Sequence, residues 1–312
     1  MNQPARNEFV VALLRDLQRR HYTPLAWWHF LADAWLKSWD TSKAHPCLTR
    51  SWSGVSVFIV LLGLGGWAAI WLVEGKQLAL HLLPALLICL LLQQGDVYVH
   101  LGLNLDPSDG RFRERLGLPT TLTLVRGVMA NLLLAHLLSG RIPLASVTLA
   151  AYLIGIATDI ADGQIARRTG WLTRLGGNLD GEADLFLYTS TALCALLLGD
   201  LPDWLALAML LRFLIPVIGA LFSYFVAIRQ VDFSHSAWGR SAGLAQAICL
   251  VIVLLPVALA HWLAPILLPL MLITLALLVL APIIDVRRTL SLWQTQKPQR
   301  EEAGETRYSE TG

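Results

Sequence analysis

The chain has 312 residues, of which 55% are hydrophobic and only 15% are charged. Its mean hydropathy of +0.57 excludes an ordinary soluble domain and indicates a protein that crosses a membrane several times. The net charge of +2 says little, but no basic stripe or phosphate-binding loop is present, so no nucleic-acid partner is expected.

Residues 1–51 lack the apolar segment of a cleavable signal peptide. Phe9, Leu13 and Leu17 recur at helical spacing beside several arginines, and a tryptophan-rich stretch follows Pro24. This pattern predicts a pair of amphipathic helices. The pair either lies at the lipid–water interface of an anionic leaflet or forms a small cytoplasmic cap on the membrane core.

Eight apolar segments beyond residue 51 are long enough to cross a membrane. They are 52–73, 78–100, 120–139, 143–162, 179–199, 204–228, 241–260 and 262–284. The first two predict an N-terminal transmembrane pair within 52–103, although His81 and Asp96 interrupt the second. The other six predict a helical core within 104–288, and the polar segment 289–312 predicts a disordered cytoplasmic tail. The predicted fold is therefore all-α and polytopic, with a six-helix core and two additional N-terminal helices.

A dense motif lies between the fourth and fifth predicted spans. Residues 159–184 fit the frame D-x2-D-G-x2-A-R-x8-G-x3-D-x3-D at every fixed position. Asp159 and Asp162 are three residues apart, and Asp180 and Asp184 are four apart, so each pair occupies one face of a helix. We expect both pairs to sit at the ends of apolar segments, close to the membrane surface.

The residue types of this motif predict phosphate chemistry. Four carboxylates near a membrane repel one another, and bound divalent cations relieve that repulsion. Oxygen-only ligands favour Mg2+ or Mn2+, and two such ions suit phosphoryl transfer. Gly163, Ala166 and Gly176 remove bulk where backbones or phosphates approach closely. Arg167 offers a planar fork for a diphosphate.

The frame resembles the signature of class I CDP-alcohol phosphotransferases, also called CDP-alcohol phosphatidyltransferases. The resemblance implies a homodimeric enzyme that moves a substituted phosphate from a CDP-linked donor to an alcohol and releases CMP. CDP-diacylglycerol is the expected donor. It also implies two ions, Mg2+ or Mn2+, held by Asp159, Asp162, Asp180 and Asp184, with Asp184 as the general base. Two alternatives stay open: a CDP-choline- or CDP-ethanolamine-type donor with a lipid acceptor, and a cation transporter.

Other candidate site residues flank the motif. Pro119, Thr123 and Arg126 match the way the family enters its first core helix, which implies donor-binding roles for Thr123 and Arg126. An Arg at that depth needs a partner, either a donor phosphate or one of the motif Asp residues. The resemblance also implies that the Thr173 hydroxyl touches the donor phosphates, although an ordinary loop Thr fits equally well. Glu182 points away from the Asp180/Asp184 face and is expected to be a solvated or helix-start charge.

The acceptor side is less well defined. The segment SHSAWGRSAGLAQ is similar to a family pattern G-K-x-x-T-x-x-Q, but Arg240 replaces its Lys and Gly243 replaces its Thr. Arg212 lies inside a predicted span and should pair with an acid or face a cavity. Arg212, Arg240 and Arg288 are therefore the candidate acceptor-binding residues, and the acceptor itself is not readable from the sequence.

The placement of positive charge predicts orientation. Of 24 Lys and Arg, only Lys76 and Arg141 fall on one side of the predicted spans, Arg126 and Arg212 fall within spans, and the remaining 20 fall on the other side. The positive-inside rule puts those 20 in the cytoplasm. An inner- or plasma-membrane protein is expected, with the Asp motif and both termini cytoplasmic.

Overall fold

The computed structural model describes residues 8–226, 237–256 and 262–284, and these residues fold almost entirely into α-helices. The helices are α1 (Glu8–Arg19), α2 (Pro24–Ala44), α3 (Pro46–Glu74), α4 (Lys76–Val99), α5 (Leu118–Leu138), α6 (Ala145–Thr169), α7 (Arg174–Leu198), α8 (Asp203–Phe225), α9 (Ala237–Val253) and α10 (Trp262–Ile284). A 3-10 turn, Leu101–Leu103, follows α4. Within these ranges the only β-type pairing is an isolated bridge between Leu105 and Phe112.

Seven of the described helices, α3 to α8 and α10, are long and apolar enough to span a bilayer. The prediction of an all-α polytopic membrane protein is confirmed. Lys76–Val99 is among the seven, despite the polar residues in the second predicted span. The predicted span 241–260 corresponds to α9, which has 17 residues, while 257–261 lie outside the described residues. The six-plus-two arrangement therefore stays a prediction, and the tail 289–312 also lies outside the described residues.

Two helices are longer around the Asp motif than the apolar pattern predicted. The predicted spans 143–162 and 179–199 left 163–178 as a loop, and this expectation is wrong for most of that segment. Helix α6 continues to Thr169 and ends at Gly170, whose φ of 63° is left-handed and favours glycine. Helix α7 begins directly after Thr173, whose hydroxyl caps it by accepting a hydrogen bond from the Gly176 N–H at 3.0 Å. All four motif Asp side chains therefore project from helical backbone.

Helix α5 is the centre of the bundle. Of its most apolar 18 residues 67% are buried, whereas the other six spans bury between 17% and 39% and leave the rest for lipid. It packs against α3, α4, α6 and α7. Glycines bring the helices close: a Cβ on Gly155 of α6 would lie 2.4 Å from the Leu187 side chain of α7. This close α6–α7 approach sets the spacing of the two Asp pairs.

Buried polar contacts tie the N-terminal helices to this core. The Gln93 amide donates to the Leu124 carbonyl at 3.0 Å and accepts from Asn131 at 2.7 Å. At the opposite end of the bundle, His136 contacts α3, with its Nε2 at 2.9 Å from Glu74 Oε2. Hydrogen bonds of this kind are favoured in an apolar surrounding, so α3 and α4 are integral parts of the bundle.

The connection 104–117 braces the motif from outside the membrane spans. The Leu105 carbonyl accepts a hydrogen bond from Arg174 N–H at 2.9 Å, and the Arg113 guanidinium stacks over the Trp171 ring at 5.1 Å. Hydrogen bonds from the Ser108 hydroxyl and N–H, together with the Arg113 guanidinium, lower the pKa of Asp106 to about 2. Asp106 is therefore ionised at neutral pH and keeps Arg113 in place against the motif turn.

Candidate active site

Helices α6 and α7 bring the two Asp pairs together. Carboxylate oxygens of Asp159, Asp162 and Asp180 all lie within 4.8 Å of one another. Asp184 stands one helical turn beyond Asp180 on the same face of α7. The sequence spacing predicted each pair, and the packing of α6 on α7 joins the pairs into a single cluster.

The Arg126 guanidinium of α5 lies among all four carboxylates. Its Nη1 is 3.0 Å from Asp180 Oδ1 and 2.5 Å from Asp184 Oδ1. Its Nη2 is 3.0 Å from Asp159 Oδ1 and also contacts Asp162 Oδ2. Of the two partners weighed for Arg126, the structure shows the motif Asp residues. One planar cation thus ties α5, α6 and α7 together at the same point.

The cluster is closed on one side and open on the other. The side chains of Arg126 and Asp162 are 0% and 7% exposed, whereas Asp159, Asp180 and Asp184 are 40%, 48% and 32% exposed. The Thr123 hydroxyl lies 3.0 Å from Asp162 Oδ2 and supports the closed side. The open side is formed by carboxylates, which leaves it accessible to a ligand and to cations.

The remaining motif residues line the entrance to the cluster. A Cβ on Gly176 would lie 3.1 Å from Thr173 Oγ1 and 3.3 Å from Thr120 Oγ1, so Gly176 permits close contact between α7 and α5. Thr173 is the N-cap of α7, and Ala166 is buried. Gly163 and the exposed Arg167 lie one turn apart on α6, and a Cβ on Gly163 would meet the Arg167 guanidinium at 3.1 Å.

A pair of tyrosines lies deeper in the bundle than the Asp cluster. Tyr188 is one turn after Asp184 on α7, and Tyr152 is two turns before Asp159 on α6. Their rings meet edge to face at 5.7 Å, and Tyr188 stacks on Phe213. Tyr152 is fully buried, and its hydroxyl lies beside that of Tyr188. The sequence reasoning missed both tyrosines, although their spacing from the Asp residues, i+4 and i−7, was available as a signal.

Arg212 borders this tyrosine pair from α8. Its Nη1 donates to Gln246 Oε1 at 2.7 Å, and its guanidinium stacks on Phe213 at 5.1 Å. A Cβ on Gly243 would lie 2.8 Å from Arg212 Nη2, so the Gly that replaces a family Thr makes room for this guanidinium. Among the described residues, no carboxylate lies within ion-pair distance of Arg212. Arg240 is described at the start of α9, and Arg288 lies outside the described residues.

Glu182 is not the solvated charge that we expected. It lies in helix α7 near Asp96 of α4, and His100 stands beside both. The His100 Nδ1 atom is 3.0 Å from Asp96 Oδ1. The prediction was wrong because the α7 face opposite the Asp pair packs towards α4, a contact that the motif alone does not reveal. The added helix α4 therefore reaches the side of α7 that faces away from Asp180 and Asp184.

The carboxylate oxygens of the cluster suit divalent cations as ligands. Four carboxylates converge on one guanidinium, so the cluster has a formal excess of three negative charges. The ion pairs with Arg126 engage one oxygen of each carboxylate and leave the second oxygen as a ligand. Hard divalent ions prefer such oxygens, and two of them would offset the excess charge.

The chain matches the family model CDP-alcohol phosphatidyltransferase over residues 116–281, which is more than half of its length. It belongs to this family, whose members transfer a phosphatidyl group from a CDP-alcohol to an acceptor and depend on divalent metal ions. No curated protein sequence and no solved structure matches the chain. The matched region begins just before α5, so α1 to α4 are additional to it.

We predict that Arg126→Met destabilises the protein strongly. The substitution leaves the buried Asp162 carboxylate without its cation, and breaking such a pair costs about 3 kcal/mol or more. Thermal unfolding in detergent should show a clear fall in Tm. The exposed Arg168→Met on α6 is the matched control and should unfold near the wild-type temperature. Equal Tm values for the two variants would contradict the role given to Arg126.

Proposed function

We propose that the protein is a phospholipid-synthesising enzyme that transfers the phosphatidyl group of CDP-diacylglycerol to an alcohol and releases CMP. The observation that carries this proposal is the convergence of Asp159, Asp162, Asp180 and Asp184 on a membrane-embedded site in a chain of this family. The seven apolar helices suit a donor whose acyl chains stay in the bilayer while its nucleotide is bound at the helix ends.

The donor diphosphate is expected at the open side of the Asp cluster. The exposed Arg167 can hold its phosphates through paired N–H groups, and Gly163 and Gly176 let the phosphates approach the helix backbone. The Thr173 hydroxyl keeps α7 capped at this entrance. Arg126 and Thr123 lie on the closed side of the cluster and hold the carboxylates in position. Any contact of Arg126 with phosphate would require its ion pairs to rearrange.

Two Mg2+ or Mn2+ ions, held by the four Asp residues, would offset phosphate charge and lower the pKa of the acceptor hydroxyl. We assign Asp184 as the general base. It lies outside the group of three closely spaced carboxylates and next to the tyrosine pair. Asp184 takes the hydroxyl proton as the acceptor oxygen bonds to the phosphorus nearest the lipid, and the bond from that phosphorus to CMP breaks.

The acceptor alcohol is expected beside Tyr188 and Arg212. Arg212, the Gln246 amide and the tyrosine hydroxyls are hydrogen-bond donors close to Asp184, so they suit an acceptor rich in oxygen. Arg240, at the start of α9, and Arg288 remain candidates for the same task. A CDP-choline-type donor with a lipid acceptor is the second candidate, because the same Asp cluster would serve both reactions.

The transporter alternative is not favoured. Transport acids are expected in the middle of a membrane-crossing path. Here the acids lie in the halves of α6 and α7 that are nearer to the turn 170–173, and the buried Arg126 closes the inner side of the cluster. As the resemblance implies, we propose that the enzyme is a homodimer.

We predict that activity requires a divalent cation. We also predict that Asp180 and Asp184 have different roles. EDTA should abolish CMP release, and Mn2+ or Mg2+ should restore it. Asp180→Asn should lose Mn2+ binding, measured by electron paramagnetic resonance, together with turnover. Asp184→Asn should keep most donor binding but lose at least about a hundredfold in turnover, since general-base catalysis contributes about 10^2 to 10^4.

The matched control for these variants is Asp200→Asn, an exposed acid in the turn between α7 and α8. It should bind Mn2+ and turn over like the wild type. Turnover in metal-free buffer would refute the metal assignment. Turnover of Asp184→Asn near the wild-type rate would refute the base assignment and leave the metal site standing.

We predict that the turn 170–173 and the N-terminal helices face the cytoplasm. Impermeant maleimide applied to intact cells should label a single cysteine at Asp200 but not one at Arg168 or Lys43, in a background free of Cys47, Cys89, Cys194 and Cys249. These exposed positions avoid Gly170 and Gly199, whose positive φ values would strain a cysteine. Labelling at Arg168 would separate the Asp cluster from cytoplasmic CDP-donors and contradict the proposal.

A further inference from the structure

Helix α2 extends along one end of the bundle rather than through it. Near its start, the Tyr22 hydroxyl donates to the Phe225 carbonyl at the end of α8 at 2.7 Å. Towards its end, the Ser38 hydroxyl donates to the Val99 carbonyl at the end of α4 at 2.7 Å. The ends of α4 and α8 lie on the same side, since consecutive spans alternate in direction. Helix α2 therefore lies across the spans, roughly parallel to the membrane surface.

The surface of α2 has three stripes that follow helical spacing. The inner stripe packs on the bundle through buried or half-buried side chains: Ala26, Phe30, Ala34, Ser38 and Thr41. A second stripe is exposed and polar: His29, Asp33, Lys37 and Asp40. The third stripe is exposed but apolar, with Leu25 at 64%, Trp28 at 69%, Leu31 at 59%, Trp35 at 50%, Leu36 at 58% and Trp39 at 49%.

The third stripe is unlike an ordinary water-facing surface. A soluble surface rarely presents six contiguous large apolar side chains, and tryptophan is enriched where one side of a ring is apolar and the other is wet. The Lys43 ammonium lies 5.1 Å above the Trp39 ring, so a cation accompanies the tryptophans as it does in interfacial helices. In a cytoplasmic cap, the bundle would have to bury this third stripe. In the structure the bundle covers the inner stripe instead.

Helix α2 meets the lipid-facing surface of the spans near its start. Trp27 and Phe30 pack on Phe225 at ring-centroid distances of 5.2 and 6.2 Å. One turn earlier on α8, Phe222 is 63% exposed and Leu221 is 51% exposed, as expected for side chains that face acyl chains. Helix α2 therefore begins where the lipid-facing surface of α8 ends.

We propose that α2 is an in-plane membrane helix whose tryptophan stripe is inserted in the headgroup layer of the leaflet that faces the Asp site. The partner is the phospholipid surface itself. Helix α2 lies outside the matched family region, so this lipid contact is a property of the N-terminal addition. It fixes the depth of the bundle ends around the entrance to the Asp cluster and is independent of which donor or acceptor the site takes.

Three consecutive residues test the proposal, because each lies on a different stripe. Ala32 falls among the tryptophans, Asp33 falls on the polar stripe, and Ala34 falls on the inner stripe. Full-length A32C, D33C and A34C variants, in a cysteine-free background, are spin-labelled and placed in nanodiscs of phosphatidylcholine and phosphatidylglycerol. Power saturation then compares accessibility to oxygen, which concentrates in lipid, with accessibility to a water-soluble nickel chelate.

The label at Ala32 should be severalfold more accessible to oxygen than to nickel, the label at Asp33 should show the reverse, and the label at Ala34 should be shielded from both. Nickel accessibility at Ala32 equal to that at Asp33 would mean a solvated cap and overturn the proposal. Shielding of Ala32 from both reagents would mean that a second copy or another protein covers the stripe, which also overturns it. CMP release by the same samples reports separately on the proposed enzyme activity.

Discussion

The contact of one buried guanidinium with four carboxylates organises this protein. Arg126 comes from the central helix α5, and the carboxylates come from α6 and α7. In an apolar surrounding it is costly to bury either the cation or the carboxylates without a partner of opposite charge. The three helices must therefore pack closely enough for Arg126 to reach both Asp pairs, and Gly155 and Gly176 permit that approach.

This arrangement divides the site into a structural and a chemical side. On the buried side, Arg126 holds one oxygen of each of the four carboxylates, and Thr123 supports Asp162. Above them, the exposed oxygens form an acidic surface that suits divalent cations and a diphosphate. On the deep side, Tyr188 and Arg212 supply hydrogen-bond donors next to Asp184. A group-transfer enzyme needs such a separation, because donor, metal ions and acceptor have to meet at one phosphorus atom without displacing the acids that position them.

Much of this could be predicted from the sequence, because apolar length and residue spacing are local signals. The spacing of Asp159, Asp162, Asp180 and Asp184 showed which carboxylates share a face, and apolar runs located the spans. The length of α6 was underestimated, since the polar residues from Gly163 to Thr169 are helical although they are not apolar. The partner of Arg126 stayed open because spacing alone does not show whether the motif Asp residues come within reach of α5.

Other features depend on contacts between elements far apart in the chain. Glu182 was expected in solvent, yet α4 brings Asp96 and His100 against it. Gly243 looked like a departure from the family pattern, and in the fold it accommodates the Arg212 guanidinium from another helix. Neither relation follows from periodicity, because each requires knowing which helices are neighbours. The same holds for the N-terminal addition. That α4 lies behind α7, and that α2 lies across the end of the bundle, is visible only in the fold.

The most direct measurement is the mass of the lipid product. Purified protein in nanodiscs is offered CDP-diacylglycerol, Mn2+ and a panel of alcohols, with Asp180→Asn as the inactive control and CDP-choline with diacylglycerol as a second arm. The account predicts a new phosphatidyl alcohol and CMP in equal amounts with one acceptor, and neither from the control. Transfer only in the CDP-choline arm would contradict the donor assignment. Metal-independent product, or equal product from Asp180→Asn, would contradict the account of the Asp cluster.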